Sequence, residues 1–129
     1  MWLIPSHFKR HHDNVFSRFV VYNLNTKDKK VVNNESLIYD GHPVFWDDKQ
    51  RFIADTYPLD NCIQELFVSS VVEGFKNVNI LKAFSDPRLY IEHRCDMHPR
   101  LKGQLITLDS TFSDGVRKIV LLKLNEKML

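Results

Sequence analysis

The chain has 129 residues, of which 43% are hydrophobic and 26% are charged, and its formal net charge is +2. This composition excludes an intrinsically disordered chain. The small net charge gives no strong field that would draw the protein to nucleic acid or to an anionic membrane. We therefore expect a folded domain with no nucleic-acid partner and no membrane partner.

Three local features add to this expectation. The basic stretches 9–12 and 27–30 are interrupted or followed by polar and acidic residues, which is typical of solvated loops rather than of a phosphate-binding patch. The two cysteines, Cys62 and Cys95, lack metal-binding spacing and predict free thiols. No apolar stretch near the first residue is long enough for a signal peptide or a membrane span. The sequence as written predicts a cytoplasmic protein, and a periplasmic location is open for a longer relative.

The apolar runs are short, β-branched or aromatic, and separated by polar turns, which is typical of β-strands. In chain order the predicted strands are 16–24, 29–32, 43–46, 51–56, 63–72, 77–84, 101–108 and 117–124. Turns are expected at 25–28, 40–41 and 47–50, and at most one helical turn near 86–89. The sequence therefore predicts an all-β protein.

An internal repeat in the sequence indicates which kind of all-β protein this is. Asp55 follows His42 by 13 residues, and Asp109 follows His98 by 11 residues, with a proline directly after each histidine. Counted from the two aspartates, the copies align without a gap, so that Phe67 corresponds to Leu121. A four-stranded antiparallel unit repeated every ~40–50 residues indicates propeller blades.

We therefore predict one incomplete domain over residues 1–129, a partial β-propeller of about two and a half four-stranded blades. Residues 16–33 are expected to form the outer strands of one blade, 40–84 a second blade and 93–124 a third, incomplete one. Residues 1–15 stay unassigned, and no part of them is an evident candidate for the missing outer strand of the last blade.

Several segments also resemble a known family. They are Asp40-Gly41-His42-Pro43, Asp55-Thr56-Tyr57-Pro58, Arg94-Cys95-Asp96-Met97-His98-Pro99-Arg100, and Asp109-Ser110 followed by Gly115-Val116-Arg117. Together they resemble the last two blades of bacterial TolB-like propeller proteins, which are related to oligogalacturonate lyase and are found near polysaccharide genes. The resemblance covers residues 17 to 124 and implies that most of the ring lies outside this sequence.

The resemblance implies a metal site and a substrate class. Oligogalacturonate lyase holds manganese through histidines and a glutamine and cleaves acidic sugar chains by β-elimination. In this sequence His42 and His98 stand at the turn position that could match such a Mn²⁺ or other divalent-metal site. Leu101 and Phe112 depart from the aromatic residue and the histidine that the family usually has there.

Each candidate residue also has a structural interpretation. His42 and His98 could instead hydrogen-bond the backbone of a neighbouring blade and fix the turn. A further histidine, His93, has no counterpart in the first copy, and His7, His11 and His12 are expected to be exposed.

Four more residues are candidates for binding an acidic sugar. Arg94, Arg100 and Arg117 have the planar donors that bind carboxylates, but Asp55, Asp96 and Asp109 offer them partners within the protein. Tyr57 could stack on a sugar ring or pack with its hydroxyl bonded.

Three functions follow from these expectations. The first is a carbohydrate-related propeller binding module that is a fragment of a longer protein. The second is a divalent-metal-dependent lyase acting on uronate oligosaccharides, for which the sequence offers no convincing base. The third is a truncated gene product without independent function, whose exposed blade edges would favour self-association.

Overall fold

The computed structural model describes residues 2–7, 17–32, 41–46, 50–58, 63–72, 75–84, 95–111 and 116–125. These residues form ten strands and the turns between them, with no helix among them. The strands are β1 (Trp2–His7), β2 (Ser17–Tyr22), β3 (Lys29–Val31), β4 (Val44–Phe45), β5 (Arg51–Asp55), β6 (Ile63–Ser70), β7 (Val78–Phe84), β8 (Arg100–Lys102), β9 (Leu105–Ser110) and β10 (Lys118–Lys123). The all-β prediction is confirmed, and no helix of the described part is long and apolar enough to cross a membrane. The helical turn predicted near 86–89 lies outside the described residues.

The first sheet has the strand order β1-β2-β3, and all its pairs are antiparallel. Its β2–β3 hairpin was predicted, and its turn is fixed by Asn23, whose Oδ1 accepts hydrogen bonds from the backbone N–H groups of Asn25 and Thr26. The sequence analysis left residues 1–15 without a predicted strand, and in the structure β1 pairs with β2 along its whole length. Pro5 interrupts the apolar pattern of β1, yet an edge strand tolerates proline because one side of its backbone needs no partner.

The middle sheet is a four-stranded antiparallel meander with the order β4-β5-β6-β7. Its strand β5 is buried on both faces, since Phe52, Ile53 and Ala54 are all inaccessible to solvent. A run of consecutive apolar residues is the pattern expected of a strand covered on both sides. The middle sheet therefore has a packing partner on each face.

The third sheet has the order β10-β9-β8 and is also antiparallel. The predicted strand 101–108 is two strands here, joined by a two-residue turn at Gly103 and Gln104. Gly103 has a φ of +59°, in the left-handed region that glycine enters without a steric penalty.

Two hydrophobic clusters join the three sheets. Between the first and middle sheets lie Phe19, Val21, Val32, Phe52, Ala54 and Phe67. Between the middle and third sheets lie Trp46, Ile53, Leu66, Val68, Ala83, Met97, Ile106, Leu108 and Leu124. Full burial of one large aliphatic or aromatic side chain contributes about 1.5–3 kcal/mol, so each cluster holds its pair of sheets face to face.

The strand pairing corrects the repeat alignment by one residue. Phe67 lies opposite Ala54 in the middle sheet, whereas the residue opposite Leu108 in the third sheet is Val120. Phe67 therefore corresponds to Val120 and not to Leu121. The connection after Asp109 is one residue shorter than the connection after Asp55, and a polar loop accommodates that deletion without disturbing either strand.

Candidate functional site

The carboxylate of Asp55 joins the two His-Pro turns. Asp55 ends β5 and its side chain is completely buried. The backbone N–H of His42 donates to its Oδ1 over 2.6 Å, and the backbone N–H of His98 donates to its Oδ2 over 3.0 Å. Since His98 precedes the first strand of the third sheet, this one carboxylate ties the middle sheet to the third.

Gly41 allows this close approach. A Cβ atom built on Gly41 would overlap the backbone carbonyl oxygen of Asp55. Any side chain at this position would therefore push the first turn away from the end of β5 and break the bonds between His42 and Asp55. In the second copy Met97 takes the equivalent position, and its carbonyl accepts the backbone N–H of Asp109 over 2.8 Å.

The hydrogen bonds determine which ring nitrogen of each histidine carries the proton. The Nδ1 atom of His42 lies 3.1 Å from Oδ1 of Asp55, and Nδ1 of His98 lies 3.1 Å from the backbone carbonyl oxygen of Asp96. A carboxylate and a carbonyl only accept, so each Nδ1 is the protonated nitrogen. In the neutral form of each ring Nε2 then carries the lone pair, which is the arrangement that metal-binding histidines have.

The two imidazoles lie against each other. Their ring centroids are 3.9 Å apart, with an angle of 41° between the planes. Asp96 completes a group of three residues with His42 and His98, each offering one ligand atom, and these atoms all lie within 4.8 Å of one another. The amide of Gln64 donates to Oδ1 of Asp96 over 3.4 Å and so orients the carboxylate.

His98 adopts an unusual backbone conformation. Its φ is +41°, in the left-handed region that costs a residue with a side chain of order 1–3 kcal/mol. The bonds from its N–H to Asp55 and from its ring to the carbonyl of Asp96 hold the turn in this conformation.

Tyr57 packs on the first histidine. Its ring meets that of His42 edge-on, with centroids 5.3 Å apart, and its hydroxyl lies 3.5 Å from Nε2. The interpretation in which Tyr57 packs within the protein agrees with this geometry, while sugar stacking stays a prediction.

The arginines occupy a different place. Nη2 of Arg100 and Nη2 of Arg117 lie 3.6 Å and 3.7 Å from Oδ2 of Asp109, and both arginine side chains are 63% exposed. These pairs lie within the third sheet and do not connect two sheets. Arg94 and His93 lie outside the described residues, so their roles stay predictions.

The sequence analysis did not predict the hydrogen-bonding roles of three side chains, those of Asp55, Asp96 and Gln64. Asp55 was considered as a partner for an arginine, but its carboxylate bonds the His42 and His98 turns. Asp96 and Gln64 were not predicted as part of the site. The position of Asp55 13 residues after the first His-Pro turn, at the end of a continuous apolar strand, was the available signal.

Comparison with models of protein families, with curated proteins and with solved structures finds no match to this chain.

Proposed function

We propose that the chain is a carbohydrate-related binding module built as part of a β-propeller. Three antiparallel sheets that stack face to face in chain order, each made of sequential strands, support this architecture. The repeated His-Pro turns support it further, because both converge on Asp55 at the boundary between two sheets. A propeller presents such turns on one rim of the ring.

The binding site that we propose is a divalent-metal centre formed by His42, Asp96 and His98. The observation that carries it is that both Nδ1 atoms are held by acceptors, so that both lone pairs lie on Nε2. Two imidazoles and one carboxylate suit a manganese or zinc ion better than a calcium ion, which takes oxygen ligands. With bonds of about 2.1 Å, ligand atoms of a tetrahedral ion lie about 3.4 Å apart, so the three groups, which lie within 4.8 Å of one another, need to close by at most about 1.4 Å.

The bound cation would in turn hold the ligand. A divalent ion with three protein ligands keeps positions for carboxylate oxygens of a uronate chain. The exposed guanidinium groups of Arg100 and Arg117 would add positive charge on the third sheet. Binding of acidic oligosaccharides is therefore the function that this chemistry favours.

Isothermal titration calorimetry with Mn²⁺ and Zn²⁺ tests the proposal. We expect stoichiometric binding to the chain and at least a tenfold loss of affinity in His98→Asn, because asparagine tolerates the left-handed backbone but lacks the imidazole. Lys102→Ala, on the exposed end of β8, is the control and should bind as the original chain does. Equal affinity of the His98→Asn variant would contradict the metal centre.

A lyase built on the same site would need a base that removes the proton α to the uronate carboxylate. Incubation of the metal-loaded chain with oligogalacturonate separates the two functions. We expect binding without the ultraviolet absorbance of an unsaturated product, and appearance of that absorbance would assign the chain to the lyases.

A further inference from the structure

The hydroxyl of Tyr57 contacts the nitrogen of His42 that the proposed metal centre uses. Its oxygen lies 3.5 Å from Nε2 of His42, and the two rings meet edge-on. Nδ1 of His42 carries the proton because it lies against the carboxylate of Asp55, so Nε2 is the acceptor and the hydroxyl donates to it. Tyr57 therefore shares the lone pair that a metal ion would bind.

The end of β5 places Tyr57 beside His42. The preceding residue, Thr56, is bonded to β6, since its N–H donates to the carbonyl oxygen of Glu65 over 2.9 Å and its Oγ1 accepts the N–H of Glu65 over 3.0 Å. One residue earlier, the carboxylate of Asp55 holds both the backbone N–H and the ring of His42. The same strand end therefore positions both side chains relative to each other.

The separation of the two atoms suits two ligands of one ion. With bonds of about 2.1 Å, two ligand atoms of a tetrahedral ion lie about 3.4 Å apart. Oη of Tyr57 and Nε2 of His42 are 3.5 Å apart, so one ion can bind both with almost no change in their separation. Tyr57 and His42 are half-buried and His98 is exposed, so an ion has access to the group from solvent.

We propose that Tyr57 is the fourth protein ligand of the metal centre, through its phenolic oxygen. The inference rests on the centre of His42, Asp96 and His98 proposed above and specifies its chemistry. When the oxygen binds the ion, the O–H bond breaks and the proton is released to solvent. One carboxylate and one phenolate then neutralise a divalent cation. A six-coordinate ion such as Mn²⁺ still keeps two positions for the oxygens of a bound carboxylate.

The Zn²⁺ affinity of Tyr57→Phe tests this role. Phenylalanine keeps the ring that packs against His42 and removes only the oxygen. Loss of a group that merely orients a metal ligand costs about 10–100-fold in metal affinity, so loss of a ligand should weaken Zn²⁺ binding by about tenfold or more in isothermal titration calorimetry. Tyr22→Phe makes the same change on β2 of the first sheet, and this control should bind Zn²⁺ as the original chain does.

The outcomes of this titration separate the role of Tyr57 from the metal centre itself. If the original chain binds Zn²⁺ and Tyr57→Phe binds it equally well, the metal centre stands and Tyr57 is not a ligand. Tighter binding by Tyr57→Phe would also overturn the inference, because it would show that the hydroxyl competes with the ion for Nε2 of His42. If the original chain does not bind Zn²⁺, the metal centre and the role of Tyr57 are both wrong.

Absorbance spectra with equimolar Cu²⁺ give a readout that a purely structural role of Tyr57 would not change. Cu²⁺ binds nitrogen and oxygen ligands more tightly than the other divalent first-row ions do. A phenolate bound directly to Cu²⁺ gives a charge-transfer band in the visible region. We expect this band in the original chain and in Tyr22→Phe, and its absence in Tyr57→Phe. An original chain that binds Cu²⁺ without the band, or a band that persists in Tyr57→Phe, would overturn the proposal.

Discussion

The two aspartates of the repeat have the same place in the sequence pattern and different surroundings. Asp55 is fully buried and accepts the backbone N–H groups of two turns, one of them from the next sheet. Asp109 is partly accessible, and two exposed arginines lie beside its carboxylate. The difference follows from the neighbouring sheet, which covers Asp55 with a turn of its own. A repeated residue thus acts as a connector between sheets only where a further sheet is present.

Removal of the two carboxylates should show the largest difference. Asp55→Ala leaves the backbone N–H groups of His42 and His98 and the ring of His42 without their acceptor, and the loss of a buried acceptor costs about 1–3 kcal/mol for each group that it bonds. We expect the free energy of unfolding to fall by about 3 kcal/mol or more in urea titrations.

Asp109→Ala is the matched control for that measurement. Exposed ion pairs are worth about 0–1 kcal/mol, so the loss should stay within that range. If the free energy of unfolding falls equally in Asp55→Ala and Asp109→Ala, the two carboxylates contribute alike to stability, which contradicts the different roles assigned to them.

Gly41, which lies against Asp55, provides a second test of the difference between the two copies of the repeat. Gly41→Ala introduces a Cβ that overlaps the carbonyl of Asp55, so we expect a loss of about 2 kcal/mol or more and weaker Mn²⁺ binding. Gly103→Ala adds a methyl group in open space and costs only the left-handed backbone penalty of about 1–2 kcal/mol. Thermal unfolding of both variants measures the difference. If Gly41→Ala unfolds at the same temperature as the original chain, the His42 turn does not lie in close contact with the end of β5.

The smallest expected effect concerns the thiol near the second aspartate. Burial of Cys95 raises the pKa of its thiol above the usual 9.0, and Arg117 partly opposes that rise. The unfolded thiol loses its proton first, so this contribution to stability is complete below pH 9.0 and is lost as the pH rises through the folded pKa.

Two variants check the sign of this effect. In a Cys62→Ser background, Cys95→Ala should flatten the fall of stability above pH 9.0, and Arg117→Ala should raise the pKa of the thiol further. Rates of thiol alkylation against pH give that pKa directly. A lower pKa in Arg117→Ala would show that the guanidinium does not face the sulfur.

The sequence predicted the strands well and the contacts between sheets poorly. Short apolar runs between polar turns indicate strands because side chains alternate between faces, and seven of the ten strands match predicted runs closely. β1 was missed because Pro5 hides its pattern. β8 and β9 were predicted as one strand, 101–108, which the turn at Gly103 and Gln104 divides.

The site was harder to predict for a physical reason. His42 and His98 were found because the repeat marks them, but the partner of Asp55 depends on how one sheet stacks on the next. Because opposite charges attract, the sequence suggested an arginine as the partner of Asp55. In the structure its buried carboxylate accepts backbone N–H groups, which every residue except proline has, so the residue types do not show which ones will bind. The sequence also could not show that Phe67 corresponds to Val120 rather than to Leu121. The one-residue deletion lies in a polar loop, and polar loops of different length have similar sequences.

The central claim is that Asp55 fastens the His42 and His98 turns across two sheets. Amide hydrogen exchange measured by nuclear magnetic resonance tests it most directly. The account predicts that the amides of His42 and His98 exchange as slowly as that of Ile53 in the core, and that Asp55→Ala makes both of them fast. Asn25 lies in the exposed β2–β3 turn and serves as the fast reference. If the amides of His42 and His98 in the original chain exchange as fast as the amide of Asn25, the account is contradicted.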